Sequence, residues 1–217
     1  MTSSQFRLLR ERRFAPFFWT QFFGAFNDNV LKNALVIIVT YQAARFAGAD
    51  SSLAGLQSGI LVNLAAGLFI LPFFLLSASA GQIADRMEKA SLIRIIKGAE
   101  IGVMLLAAYG FVASNLAALL GALFLMGVHS TFFGPVKYAI LPQNLAETEL
   151  IGGNALIESG TFIAILAGTI TGGYLASLGG VGPEAAAAGG ILVALLGFCA
   201  SWFVPRSPAA APDLAID

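Results

Sequence analysis

The densest chemistry in this sequence lies inside an apolar run. Asn27, Asp28, Asn29, Lys32 and Asn33 follow one another within two helical turns. Asp28 and Lys32 are four apart, so on a helix they share a face and can pair, acid N-terminal to base. Asn29 and Asn33 repeat that spacing about one residue further round. A charge at mid-bilayer costs from about 3 to above 10 kcal/mol, so such a cluster needs a reason. Either an internal ion pair locks this helix to a neighbour, or the stripe lines a solvent-filled pathway. Glu158 is the second anomaly. It has Asn154 four residues before it and no basic residue within one turn. It must find a partner on another helix, face water, or be neutral. A carboxyl in lipid is a candidate proton carrier, because burial favours its protonated form. The alternative is a neutral, hydrogen-bonded packing residue.

Other polar residues have plainer readings. Lys97 and Glu100 are three apart and can pair near a membrane surface, where Lys reaches towards water. His129, beside Ser130 and Thr131, reads as a hydrogen-bonded packing residue. Lys137 and Tyr138 read as interfacial anchors. Asn63 is ambiguous between packing and transport. Enzyme chemistry lacks its core residues: there is no G-x-S-x-G elbow, no H-E-x-x-H and no Walker A sequence. Cys199 is the only cysteine and His129 the only histidine, which excludes an internal disulfide and a structural zinc site. No cofactor and no metal is expected.

The elements that must position these residues are membrane spans. Of 217 residues, 58% are hydrophobic and 11% charged, against about 25% charged in an ordinary soluble domain. Twelve basic and twelve acidic residues cancel, so nucleic acid is not an expected partner. Apolar length predicts six helices, roughly 15–44, 53–79, 91–113, 116–139, 150–178 and 184–204. Turn chemistry separates them at Gly48 to Ser52, Gly81 to Lys89, Ser114-Asn115, Pro142 to Glu149 and Gly179 to Pro183. Residues 1–13 form a basic N-terminus, 14–205 the six-helix unit, and 206–217 a linker-like tail. Arg7, Arg10, Arg12, Arg13, Arg86, Lys89, Arg94 and Arg206 fall on one side and Arg45 on the other. The positive-inside rule then puts both termini in the cytoplasm. Pro72 and Pro135 should kink their helices.

Small residues recur every four positions at Gly55, Gly59, Asn63 and Gly67, and again at Gly160, Ala164, Gly168, Gly172 and Ala176. That spacing lets helix backbones approach closely. The two ridges are seams for partners inside the chain or beyond it.

The connection Gly81-Gln82-Ile83-Ala84-Asp85-Arg86-Met87-Glu88-Lys89 is similar to the G-x-x-x-D-R-x-G-R loop of the major facilitator superfamily. It departs from it at Glu88 and Ala90. Three further segments resemble the lysophospholipid transporters within that superfamily. They are Gly24 to Asn29, Gly134 to Pro142 and Gly153 to Glu158. The nearest likeness is to forms fused to acyltransferase and acyl-carrier-protein synthetase domains, which this chain does not contain. The resemblance implies an all-α fold: the N-terminal half of a twelve-span transporter, built as a 3+3 inverted repeat. It implies flipping of a lysophosphatidylethanolamine-like lipid from the outer to the inner leaflet of a bacterial inner membrane, for reacylation. Asn27, Asp28, Asn29, Lys32 and Glu158 become the expected transport residues, with Asn63, Lys137 and Asn154 as further candidates. Gly81, Asp85 and Arg86 become a gating motif. The expected partners are lysophospholipid, membrane lipid, and a C-terminal half or a second copy. The alternatives are a proton-coupled efflux carrier for a soluble molecule and a non-transporting membrane anchor.

Overall fold

The computed structural model describes residues 5–42 and 58–215. Six helices dominate it: α1 (Ala15–Tyr41), α2 (Ser58–Arg86), α3 (Lys89–Val112), α4 (Leu116–Asn144), α5 (Glu147–Ala176) and α6 (Gly182–Ser201). All six are long and apolar enough to cross a membrane. α1 packs between α5 and α6, and α4 between α2 and α3. Contact of α3 with α6 joins the two groups. The expected connection at Gly48 to Ser52, with Arg45 and Gly55, lies outside the described residues.

The helix ends differ from the apolar-length reading where polar residues extend a helix past the hydrocarbon. Gly81 to Arg86, expected in a connection, form the last turns of α2. Pro142 lies inside α4, which runs on to Asn144. The actual break before α3 is set by Glu88. Its carboxylate accepts from the N–H groups of Ala90 at 2.9 Å and Ser91 at 2.8 Å, an N-cap. Asn115 caps α4 in the same way through Ala118 N–H at 2.9 Å. Ser114 before it takes a left-handed φ of 52°, turning the chain sharply between α3 and α4. Glu149 reaches back to the N–H of Ala146 at 3.0 Å and fixes the start of α5.

Two apolar cores stack along the bundle. One, towards the end that carries both termini, holds Phe14, Phe17, Ile93, Val136, Ile140 and Ile157. The other holds Leu31, Leu35, Ile38, Met104, Leu119 and Leu123. Between them, at the level of Asn27, Lys97, Glu100 and His129, lies a buried polar layer.

The small-residue ridge of α5 is spent inside the chain. A Cβ on Gly172 would lie 2.6 Å from the carbonyl oxygen of Val30, and one on Gly160 2.6 Å from the Phe18 ring. Gly168 faces Phe26 and Asn29 in the same seam. Of the two alternatives for the α5 ridge, the partner inside the chain is the one realised, because α1 fills the seam. Gly59 and Gly67 on α2 have nothing within 4 Å of a Cβ, so the α2 ridge faces outward.

The segment after Pro205, expected as a linker, is tied down. Ser207 is buried. Its N–H donates to Glu88 Oε1 at 2.8 Å, and its carbonyl accepts from Lys89 N–H at 2.9 Å. Ala211 N–H donates to the carbonyl of Asp85 at 3.0 Å, and Asn144 Nδ2 donates to Ser207 Oγ at 3.2 Å. The backbone thus pairs with groups that two helix ends leave open. On the same end, Arg13 makes a bidentate pair with Glu149, both bonds 2.7 Å, and donates to the carbonyl of Asn144 at 3.1 Å. Its pKa is raised, chiefly by the Glu149 carboxylate and then by Glu11.

Candidate functional site

A cavity of about 390 Å³ opens between α1, α2, α4 and α5. α1 contributes Asp28, Asn29 and Lys32 to its wall, together with Thr20 and Gln21. α4 contributes His129, Ser130, Lys137 and Tyr138, and α2 the rings of Phe69 and Phe73. α1 supplies five polar residues to one wall because 20, 21, 28, 29 and 32 fall on one side of the helix.

The Asp28–Lys32 ion pair that their spacing allows does not form. Asp28 Oδ2 accepts from Ser130 Oγ at 2.5 Å, which ties α1 to α4. Asp28 Oδ1 is buried with no hydrogen-bond partner among the described residues. Lys32 Nζ instead lies 5.5 Å from the centroid of the Phe69 ring, a cation–π position. Two opposite charges on one wall are thereby held apart by neighbours on two other helices. Asn29 turns its amide back to the carbonyl of Ala25 at 2.8 Å. Asn33 donates to the carbonyl of Asn29 at 2.8 Å and to Thr169 Oγ1 at 3.2 Å, linking α1 to α5.

Glu158 is not solitary. Lys137 Nζ lies 2.7 Å from its Oε1, and Tyr138 donates its hydroxyl to the same oxygen at 3.2 Å. The carboxylate side chain is 41% exposed. Of the alternatives open to Glu158, a partner on another helix is the one realised: it is Lys137, which joins the cavity wall to Glu158 rather than serving as an anchor. Spacing along α5 does not report this pair, because it crosses from α4 to α5.

Asn27 points away from the cavity. It is fully buried and donates through Nδ2 to Glu100 Oε1 at 2.8 Å. Lys97 pairs with Glu100 Oε2, and His129 Nε2 lies 3.2 Å from that oxygen. Lys97, expected to reach water, has no exposed surface. Two glycines make room for it: a Cβ on Gly197 would lie 2.7 Å from Lys97 Cε, and one on Gly24 3.3 Å from Nζ. His129, read as packing, joins this buried layer to the cavity, since its ring also lies on the cavity wall. The i, i+3 spacing revealed the Lys97–Glu100 pair. Its depth is set by glycines on two other helices, which spacing within α3 does not report.

The remaining candidates lie elsewhere. Asn63 is exposed on α2, and Asn154 donates to the carbonyl of Leu150 at 2.8 Å; neither lines the cavity. Gly81, Asp85 and Arg86 close α2 at the end carrying both termini. Asp85 and Arg86 have exposed side chains, and the Asp85 carbonyl holds the tail.

Comparison with known proteins agrees with this architecture. The family model described as Major Facilitator Superfamily matches residues 17–215. The lysophospholipid transporter LplT of Serratia proteamaculans (strain 568) is 30% identical over 195 residues, covering 90% of this chain and 44% of that protein. LplT of Yersinia pestis (strain Pestoides F) is 31% identical over 192 residues, covering 88% of this chain and 41% of that protein. The chain therefore spans less than half the length of these relatives. No solved structure matches. Six membrane-length helices and a family match over nearly the whole chain place it without ambiguity: it belongs to the major facilitator superfamily.

Proposed function

We propose that this chain is the N-terminal, six-helix half of a lysophospholipid flippase. The carrying observation is the separation of Asp28 from Lys32 on one cavity wall. A zwitterionic headgroup has an amine and a phosphate on one short tether. Asp28, with one carboxylate oxygen unpartnered, suits the amine, and Lys32 suits the phosphate. Phe69 and Phe73 offer apolar surface beside them for the start of an acyl chain. Lys137, on the cavity wall, and Glu158 beside it already neutralise each other. In this reading they form an ion pair that opens and recloses as the lipid passes. The similarity to proteins named lysophospholipid transporters supports the substrate class.

Transport by alternating access takes two halves that rock about a central site. The partner half is a C-terminal six-helix unit or a second copy, seated beside α2, whose glycine ridge faces outward. The basic end that carries both termini faces the cytoplasm of a bacterial cell, and the lipid moves from the outer to the inner leaflet. Reacylation belongs to other proteins or domains.

The test is lysophosphatidylethanolamine uptake into spheroplasts expressing the gene that encodes this chain. Lys32→Ala should reduce uptake at least tenfold. Uptake equal to wild type, at equal expression, removes Lys32 from the site.

A further inference from the structure

A second apolar recess lies outside the transport cavity, between α1 and α6 at the end that carries both termini. It measures about 450 Å³ and is lined by Ala15, Pro16, Trp19, Phe23, Ala200 and Phe203. From Ala15 to Phe23 it follows α1 for about 12 Å at 1.5 Å per residue. Phe203 also lines a neighbouring hollow, shared with Arg12, Arg13, Trp202 and Pro205. An apolar slot parallel to the helices therefore continues into a basic mouth.

The charges at that mouth are unevenly used. Arg13 is committed to Glu149 and Glu11, and Arg7 to Glu11. Glu11 thus has both its oxygens engaged by arginines, which holds its pKa below the ordinary value through Arg13 first and then Arg7. Arg12 is exposed and makes no ion pair with the described residues. Arg94 rests its guanidinium 5.2 Å from the Trp202 ring centroid, with Nε buried and unpartnered among the described residues. Two arginines without anionic partners therefore flank Trp202. Trp19, Trp202 and Phe203 are each 45–65% exposed, as suits rings at the level of lipid headgroups.

We propose that this groove binds an anionic phospholipid of the surrounding leaflet. Its phosphate sits between Arg12 and Arg94 beside Trp202, and one acyl chain lies in the slot along Trp19 and Phe23. Charge complementarity selects this occupant over a zwitterionic lipid, whose amine would meet the same arginines. It also selects it over an apolar protein segment, which would leave both guanidinium groups unanswered. The inference rests on membrane embedding alone and is independent of the transport reading.

The chain carries its own reporters, because Trp19 and Trp202 are its two tryptophans. In nanodiscs of phosphatidylcholine, tryptophan fluorescence is measured as brominated phosphatidylglycerol or brominated phosphatidylcholine replaces the host lipid. Brominated phosphatidylglycerol should reach half-maximal quenching at a mole fraction several-fold lower than brominated phosphatidylcholine. Arg12→Gln should raise that fraction about fivefold, the weight of one basic residue near a membrane surface. Arg94→Gln should act similarly, and 0.5 M salt should narrow the preference. Arg12 is exposed, so its variant keeps the fold and decides the matter if Arg94→Gln does not fold. Equal quenching by both lipids in the wild type, or an unchanged preference in Arg12→Gln, would overturn the site.

Discussion

Asp28 and Lys32 stand one helical turn apart on the same cavity wall and do not pair. Ser130 on α4 holds the first, and Phe69 on α2 faces the second. Opposite charges at this spacing normally attract one another, so the separation is maintained by the two neighbouring helices.

Removing either restraint should let the charges collapse together. Ser130→Ala deletes a hydrogen bond to a carboxylate, a class worth about 1.5–3 kcal/mol. Asp28 is then free to turn to Lys32, and the site closes on itself. We expect lysophosphatidylethanolamine binding to weaken about tenfold or more, measured by titration calorimetry in detergent micelles. Ser130→Thr keeps the hydroxyl and should retain most of the affinity.

The Asn27–Lys97–Glu100–His129 layer makes a stability prediction. Glu100→Gln leaves Lys97 buried without its counter-charge, a change that typically costs about 3–5 kcal/mol. The double change Lys97→Met with Glu100→Gln removes both charges and should recover most of the loss. Thermal unfolding in a single detergent checks both. A double variant no more stable than Glu100→Gln alone would show that the ion pair is not the source of the effect.

The α1–α5 seam separates two kinds of glycine. Gly172→Ala drives a Cβ to 2.6 Å from the backbone of Val30, which cannot rotate away. Overpacking of this kind costs about 1–3 kcal/mol. Gly67→Ala meets nothing within 4 Å and should leave the isolated chain as stable as wild type. Paired melting curves of the two variants test the seam.

Glu88 ties the start of α3 to the tail. Partial burial pushes its pKa upward, but hydrogen bonds from the Ser91 hydroxyl and from the N–H groups of Ser207, Ala90 and Ser91 outweigh it. The result lies below the ordinary value of 4.5. A depressed folded-state pKa stabilises above the unfolded value, and that contribution is lost as pH falls through the folded one. Tail attachment should therefore hold above about pH 5 and loosen in acid. Hydrogen exchange at the Lys89 and Ser207 amides follows it. In Glu88→Gln the protection at Ser207 should be weaker and should no longer change across that acid range.

The sequence announced the membrane architecture because apolar length is a one-dimensional signal, and a span of given thickness needs a given number of residues. It also announced the stripe at Asp28 and Lys32, since both lie on one face of one helix. What stayed hidden was set between helices. Lys137 reaches Glu158 from α4 to α5, and His129 meets Glu100 from α4 to α3. Neither follows from spacing along one helix. Asn27 illustrates the limit of a cluster read as a unit. It is next to Asp28 in sequence, yet about 100° of helical rotation sends it into the bundle instead of the cavity. The apolar run of α2 stops before the helix does: Gln82, Asp85 and Arg86 interrupt it, yet the helix continues past the hydrocarbon to Arg86.

In the proposed function Asp28 receives an amine while Lys32 receives a phosphate. The most direct measurement compares binding of lysophosphatidylethanolamine with that of lysophosphatidic acid, which lacks the amine, in wild type and Asp28→Asn. The wild type should prefer the ethanolamine lipid, and Asp28→Asn should abolish the preference while still binding lysophosphatidic acid. An undiminished preference in Asp28→Asn would contradict the assignment.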